Sequence, residues 1–429
     1  MTTTIKIRNI GPIREADLSL NKINVFMGQQ SSGKSTIAKI ISYCTWVEKD
    51  VATSQSLKTY QDNRHYFIEQ LESFHKLKGY FKNQNRYISF QSDVVKIEYS
   101  DKQFSIDWTN RYAYQRSKLS YIPSERNMII LPEVKKVTFD STNIRSFMFD
   151  WFDEKKNYSK ENTLSILNLD LEYYYDENSD EDHILHKQNG ELYDILLSNA
   201  SSGLQSITPL IATIDYLTNG FYSKDENISF ELLEEKIRKT NQILVEELIL
   251  KKYSDENTET GKEKMDIINE KLIAKDEQVL RLVEEYDKVR KMLFSAHDTL
   301  FIIEEPEQNL FPKTQRDLVY YLLNKCVDNE RNHRLTITTH SPYILYALNN
   351  CMIGKIVFDK MDDEDKSLVV CKSALINPDD VSIYQIEKGK LVKIQQEDGL
   401  IGSNYFDEEM KELMDDYYTF LKYYDDDGA

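Results

Sequence analysis

The chain has 429 residues, with 54 Lys and Arg against 72 Asp and Glu, a net charge of −18. Apolar residues make up 40%, enough for a sizeable core, while a mean hydropathy of −0.57 argues against an integral membrane protein. A chain this acidic repels a phosphate backbone unless its basic residues cluster, so tight autonomous nucleic-acid binding is disfavoured. The longest uncharged run, 195–214, is rich in Ser, Thr, Asn and Gln and holds Pro209, unlike a membrane span. Lys6 and Arg8 break the only early apolar stretch, so no secretory signal is expected. Cys44, Cys326, Cys351 and Cys371 are scattered and read as reduced thiols of a cytoplasmic protein.

In chain order, residues 4–20 alternate Ile5, Ile7 and Ile10, then Ala16, Leu18 and Leu20, around a Gly11-Pro12 turn, which predicts paired strands. Residues 23–27 suit a buried central strand and 36–47 a helix. A helix is expected over 67–80 and strands over 94–99 and 103–108. Residues 131–191, rich in Tyr and acids, permit no assignment. Within them His183 and His186, three apart, could share a helix face in a solvated stretch rather than a metal site.

Residues 224–292 are dense in Glu, Lys and Asp. Met265, Leu272, Val279, Tyr286 and Leu293 recur every seven residues, with Ile268, Leu282 and Val289 interleaved. This is a heptad seam. Phe230, Ile237 and Leu244 keep the same spacing, and the polar stretch 254–261 suits a hairpin tip. The pattern predicts two antiparallel helices of roughly 30 residues, an arm of about 45 Å; the alternative is a pair of ordinary surface helices. Strands over 299–303 and 335–339 then flank a helix over 312–326, an α/β layer. Residues 406–424 read as an acidic amphipathic helix.

Gly28-Gln29-Gln30-Ser31-Ser32-Gly33-Lys34-Ser35 fits G-x-x-x-x-G-K-[ST] between a strand and a helix. Glycines let the backbone wrap so that its N–H groups and the helix N-terminus face one anion. Lys34 then serves the β- and γ-phosphates and Ser35 offers a hydroxyl to Mg²⁺. Gly28, Gln30, Ser32, Gly33, Lys34, Ser35 and Thr36 are the expected nucleotide contacts. Leu300-Phe301-Ile302-Ile303-Glu304-Glu305 puts two acids straight after four apolar residues, an arrangement hard to explain as a solvated face. Glu304 is assigned to Mg²⁺ and Glu305 to polarising the attacking water. His340, at the end of the next strand, is placed to reach the γ-phosphate.

Together these residues resemble the ABC-type ATPase superfamily, in the branch of SMC and DNA-repair ATPases, overcoming-lysogenisation-defect (OLD) nucleases and ATPases of antiphage systems such as Septu and PARIS. Residues 5–20 followed by Ile23-Asn24-Val25-Phe26-Met27-Gly28 are similar to that branch's opening. Glu305-Pro306-Glu307-Gln308-Asn309-Leu310-Phe311-Pro312 is similar to its E-P-E-x-x-L-x-P continuation into the D-loop, and Thr339-His340-Ser341-Pro342 to its switch-histidine motif. The resemblance implies an α/β ABC-ATPase head formed by residues 1–220 and 299–429, with 221–298 as an inserted helical hairpin. It implies that Ser201-Ser202-Gly203-Leu204-Gln205 is the signature turn, with Ser202, Gly203 and Gln205 binding ATP held by a partner head. A homodimer sandwiching two ATP molecules, or a higher homo-oligomer, follows. Gln91 is the candidate Q-loop ligand to Mg²⁺, and Tyr121-Ile122-Pro123-Ser124-Glu125-Arg126 brings Arg126 to the nucleotide. Glu304 stands where most of the family has Asp, and Leu204 replaces a glycine.

The leading expectation is an ATPase switch for a protein effector, a nuclease or toxin, in bacterial antiphage defence. A DNA-clamping repair ATPase would need a basic strip, for which Arg111, Arg116, Lys118 and Arg126 are the candidates, and direct DNA binding is left open. An OLD-type nuclease needs an acidic metal site, yet fewer than ninety residues follow Pro342 and their acids, 362–365 and 425–427, are charge runs. A transporter subunit fits least.

Overall fold

In the computed structural model, which describes residues 3–136, 142–188, 191–223, 234–252, 261–327 and 331–424, the opening alternation becomes two paired strands. β1 (Thr4–Ile10) buries Ile5, Ile7 and Ile10, and β2 (Ile13–Ser19) buries Ile13, Ala16 and Leu18. β3 (Ile23–Gly28) is buried along its whole length, as a strand covered on both faces must be. α1 (Lys34–Ser54) is longer than the expected 36–47. α2 (Tyr66–Phe74) stops short of Tyr80. Lys76 enters the left-handed region (φ 54°) and the Leu77 N–H donates to Glu72 O at 3.0 Å, a Schellman stop. β4 (Tyr87–Gln91), unassigned from sequence, links β1 to the expected pair β5 (Val95–Ser100) and β6 (Phe104–Trp108). β7 (Ser117–Ile122) follows.

The unassigned stretch holds α3 (Asn143–Glu154) and a small antiparallel sheet of β8 (Leu164–Ser165), β9 (Leu171–Asp176), β10 (Glu181–Gln188) and β11 (Glu191–Leu196). Tyrosine obscured it. Tyr173 and Tyr174 bury their rings yet donate to Asp182 (2.7 Å) and Asp194 (2.6 Å), so one residue type meets both apolar and polar demands. His183 and His186 lie on β10, not on a helix, where a spacing of three puts them on opposite faces.

After α4 (Ser202–Thr218), α5 (Glu234–Leu244) runs into a π-helical turn, Val245–Leu250. The returning half is two helices, α6 (Gly261–Ile273) and α7 (Glu277–Phe294), rather than one of 30 residues. Lys275 (φ 58°) ends α6, with the Asp276 N–H on Lys271 O at 2.9 Å. The Asp276 carboxylate then caps α7, accepting from Gln278 and Val279 N–H at 3.0 and 3.1 Å. Leu244, Leu248, Val289, Leu293 and Phe294 pack into the core around α1; Ile249, Ile268 and Val279 make a separate cluster. Phe230 and residues 254–260 of the expected tip, 254–261, lie outside the described residues, while Gly261 begins α6.

The remaining elements are β12 (Asp298–Glu304), α8 (Pro312–Val327), β13 (Arg334–Thr339), α9 (Pro342–Val357), β14 (Val381–Glu387), β15 (Lys390–Lys393) and α10 (Tyr405–Leu421). One 11-stranded mixed sheet runs β6-β5-β4-β1-β2-β15-β14-β3-β13-β12-β7. β7, β12, β13, β3 and β14 are mutually parallel. Helices cover both faces: Phe301 and Ile303 of β12 join the core with α4, α8 and α9, while Leu300 and Ile302 face α1. The fold is α/β, as expected. No described helix is long and apolar enough to cross a membrane. All four cysteines are buried and unbridged.

Candidate nucleotide site

Four parallel strands end side by side. Met27 of β3 pairs with Thr339 of β13, Glu304 of β12 with Thr338, and Ile303 with Ile122 of β7. In an open α/β sheet this carboxyl edge is where ligands bind.

The loop between β3 and α1 fits only glycine at its ends. Gly28 and Gly33 adopt φ 150° and 111°, and a Cβ on Gly33 would lie 2.3 Å from Ile13 Cδ1. Gln29, Gln30 and Ser31 are exposed, Ser32 is half-buried, and Lys34 and Thr36 are buried at the start of α1. The Lys34 ammonium donates to Gly28 O and Gln29 O, both at 2.9 Å, and lies 3.2 Å from His340 Nδ1. Burial lowers its pKa to about 8. Because an ammonium only donates, His340 Nδ1 accepts, and its Nε2–H faces Glu305 Oε1 at 3.2 Å.

The two adjacent acids differ in environment. The bond from His340 holds Glu305 below the ordinary carboxylate range. Glu305 also takes φ 45°, so the chain turns sharply out of β12. Glu304 is buried; burial raises its pKa, opposed by the charge of Lys39 and by hydrogen bonds from Tyr121 and Ser35. The paired Ser35 hydroxyl and Glu304 carboxylate are hard oxygen donors, a set that fits Mg²⁺.

Three expected residues are placed differently. Arg126 is fully buried, and its five N–H donors meet five carbonyls: Ser206 (3.1 Å), Pro123 (3.3 Å), Glu304 (2.8 Å), Glu305 (2.8 Å) and Pro306 (3.3 Å). Nothing remains for a phosphate, so Arg126 braces the acidic strand end rather than binding nucleotide. Gln91 pairs with Thr4 at the start of β1, whereas Ile13, just past the other end of β1, meets Gly33. That separation is about 20 Å at 3.3 Å per residue, which removes Gln91 from the metal. Its neighbour Ser92 bonds Glu48, about four turns along α1 from Lys34.

Ser201 and Ser202 are exposed at the head of α4, where Ser201 accepts from the Leu204 N–H at 3.5 Å. Gly203 lies against the D-loop; a Cβ there would sit 2.8 Å from Asn309 O. The Gln205 amide turns inward, donating to Ser198 O (2.9 Å) and Ala200 O (3.0 Å), so it braces its own turn. Three of the four basic-strip candidates are likewise buried, and Arg111 is half-buried. Arg116 is buried against Phe294 O, Lys118 is buried beside Asp150 at 2.9 Å, and Arg111 holds Gln55.

Sequence reasoning gave no role to Glu307, Tyr121 or Glu125. Glu307 is half-buried with its Oε2 shut off from solvent, and this desolvation raises its pKa; its Oε1 accepts from Thr339 Oγ1 (2.8 Å) and the His340 N–H (2.6 Å). Tyr121 donates to Glu304, and the exposed Glu125, just beyond β7, adds negative charge near that carboxylate. Both belong to the stretch 121–126, which the resemblance singled out for Arg126 alone, at the end of a strand, β7, that went unassigned.

No family model matches the chain, and none of the curated proteins does. Among solved structures it is similar to the SMC head domain from Thermotoga maritima, at 9% identity over 92% of this chain and 99% of that one, with a TM-score of 0.37. It is also similar to the recombination mediator protein RecF, at 12% identity, 92% and 98% coverage and a TM-score of 0.31. A dimeric bacterial ABC transporter cassette shows 10% identity, 91% and 99% coverage and a TM-score of 0.29. Likenesses this distant say nothing of activity.

Proposed function

We propose that the chain is a Mg²⁺-dependent ATP-binding and ATP-hydrolysing head that works as a homodimer and controls a protein effector in bacterial antiphage defence. The observation carrying the ATPase reading is the meeting of Lys34, Ser35, Glu304, Glu305 and His340 at one sheet edge, beside a glycine-ended loop on a helix N-terminus. Such a loop accepts a triphosphate through backbone N–H groups, and the phosphate replaces the carbonyls that Lys34 now contacts. Ser35 and Glu304 would hold Mg²⁺, which when bound offsets charge on the β- and γ-phosphates. Glu305, kept ionised by His340, is the acceptor that orients water toward the γ-phosphate. Once Lys34 moves onto the phosphate, His340 Nδ1 loses its donor and can give the phosphate a hydrogen bond only after taking up a proton.

The dimer reading rests on the signature resemblance and on the exposure of Ser201 and Ser202 beside the D-loop. A turn free at the surface can reach ATP in a second copy, so ATP favours the closed pair and hydrolysis reopens it. Differential affinity for the two states is then what moves an effector. The antiphage role and a nuclease or toxin effector rest on the resemblance of the motifs, supported by the −18 charge, which suits a protein partner better than bare DNA. The DNA-clamp alternative stays compatible with the fold, but the burial of Arg116, Lys118 and Arg126 means that a DNA contact would have to use other basic residues.

The test is light scattering of the Glu305→Gln variant with ATP and Mg²⁺. A stable dimer that is absent without nucleotide supports the reading. A monomer that binds ATP overturns the dimer, and absence of ATP binding overturns the whole.

A further inference from the structure

Past its first turn, α10 leaves most of its apolar side exposed. A capping box starts α10: Asn404 Oδ1 accepts from the Phe406 N–H at 3.0 Å, and the Asp407 carboxylate accepts from the Asn404 N–H at 3.1 Å. Tyr405 and Phe406 lean on the main core, and the Tyr346 hydroxyl donates to Asp407. Past that first turn no residue of α10 is buried. Met410 is 60% exposed, Leu413 67%, Tyr417 53% and Phe420 70%. With Phe406 and Tyr424 they follow a three-four spacing, and Met414 and Leu421 widen the stripe to roughly a third of the helix circumference. A helix held only by its first turn is marginal in water, and a contiguous apolar stripe of this kind marks an interface.

Charge says what fits it. Between Tyr405 and Leu421 stand six acids, Asp407, Glu408, Glu409, Glu412, Asp415 and Asp416, against one base, Lys411. Glu409 and Asp416 border the stripe on one side. Two copies paired through α10 would bring these acids together, and an anionic membrane would repel them. A groove rimmed with Lys and Arg takes both the stripe and its border.

We propose that α10 is the docking helix for a basic partner protein, its apolar stripe seated in a groove lined by Lys and Arg. This gives the effector above a chemical class and rests on that reading for its existence. The helix is tested without nucleotide, so either claim can fail alone.

The probe is a labelled synthetic helix with Leu at its heptad core positions and Lys at the flanks, titrated with the full chain and followed by anisotropy. A control peptide carries Glu at the flanks. The Lys peptide should bind, and the Glu peptide should bind about tenfold or more weakly. Leu413→Ser with Phe420→Ser leaves the charge unchanged and should weaken the Lys peptide about tenfold with the melting temperature unmoved. Glu409→Lys with Asp416→Lys should weaken it as well. No binding of the Lys peptide, equal binding of the two peptides, or full binding to the serine variant overturns the proposal. So does nucleotide-free self-association that the serine variant abolishes, since the occupant is then a second copy.

Discussion

The backbone N–H of His340 donates to Glu307 Oε1 at 2.6 Å, so a buried carboxylate fixes, from behind, the residue that joins Lys34 to Glu305. Glu307→Ala leaves that N–H and the Thr339 hydroxyl without an acceptor. Denaturant unfolding should show a loss of about 1–3 kcal/mol, with ATPase activity falling alongside. Glu307→Gln keeps an acceptor oxygen and should retain most of both. Equal damage in the two variants would assign the effect to charge rather than to the bond.

Lys34, with its pKa lowered to about 8, makes nucleotide affinity depend on pH. Its folded value lies below its unfolded one, so the charged form costs stability below about 8. That cost fades as pH rises toward the unfolded value. ATP binding runs the other way because the phosphates need the ammonium. Calorimetric titration should show the ATP Kd weakening as pH rises through about 8. A Kd unchanged from neutral to alkaline pH would remove the Lys34 proton from binding.

Glu305→Gln should keep ATP binding while turnover falls about a hundredfold or more, since it removes the acceptor for the attacking water. Single-turnover phosphate release measures the chemical step itself. Unchanged turnover would take Glu305 out of its assigned role.

Arg126 should prove to be a positioning residue. Arg126→Met strands five carbonyls, including those of Glu304 and Glu305, and should cost about 3 kcal/mol or more in unfolding experiments. The folded fraction should still bind ATP with close to native affinity. A stable variant with lost ATP binding would restore Arg126 as a phosphate ligand.

Sites shared between two subunits can be tested by mixing. Lys34→Ala disables the loop and Ser202→Arg blocks the turn, so each variant alone should be inactive. A mixed dimer holds one intact pocket, built from the loop of one subunit and the turn of the other. Mixing should therefore restore measurable ATPase activity. No recovery in verified mixed dimers would mean that Ser202 serves its own subunit.

By itself the sequence determined what depends on neighbours along the chain. The loop was legible because its φ values demand glycine at Gly28 and Gly33. Glu304, Glu305 and His340 stood out because acids and a histidine come straight after buried strands; β1 and β2 showed in their alternation, β5 and β6 as strand-like runs, and β3 as an unbroken apolar run. Tertiary structure decided the rest. Arg126 looked like a phosphate ligand until its five donors met five backbone carbonyls, four of them brought from distant segments, and Gln91 until the strand pairing set it at the opposite end of the sheet from the loop. The every-seven series ran on from Leu272 to Val279, with Lys275 the one polar residue of the interleaved series, yet a local stop and cap cut the helix there, since apolar spacing carries no record of backbone hydrogen bonds. Glu307 was one acid among three until folding set its carboxylate against the His340 N–H. Partners chosen across the fold are set by packing and desolvation, and neither is written in local order.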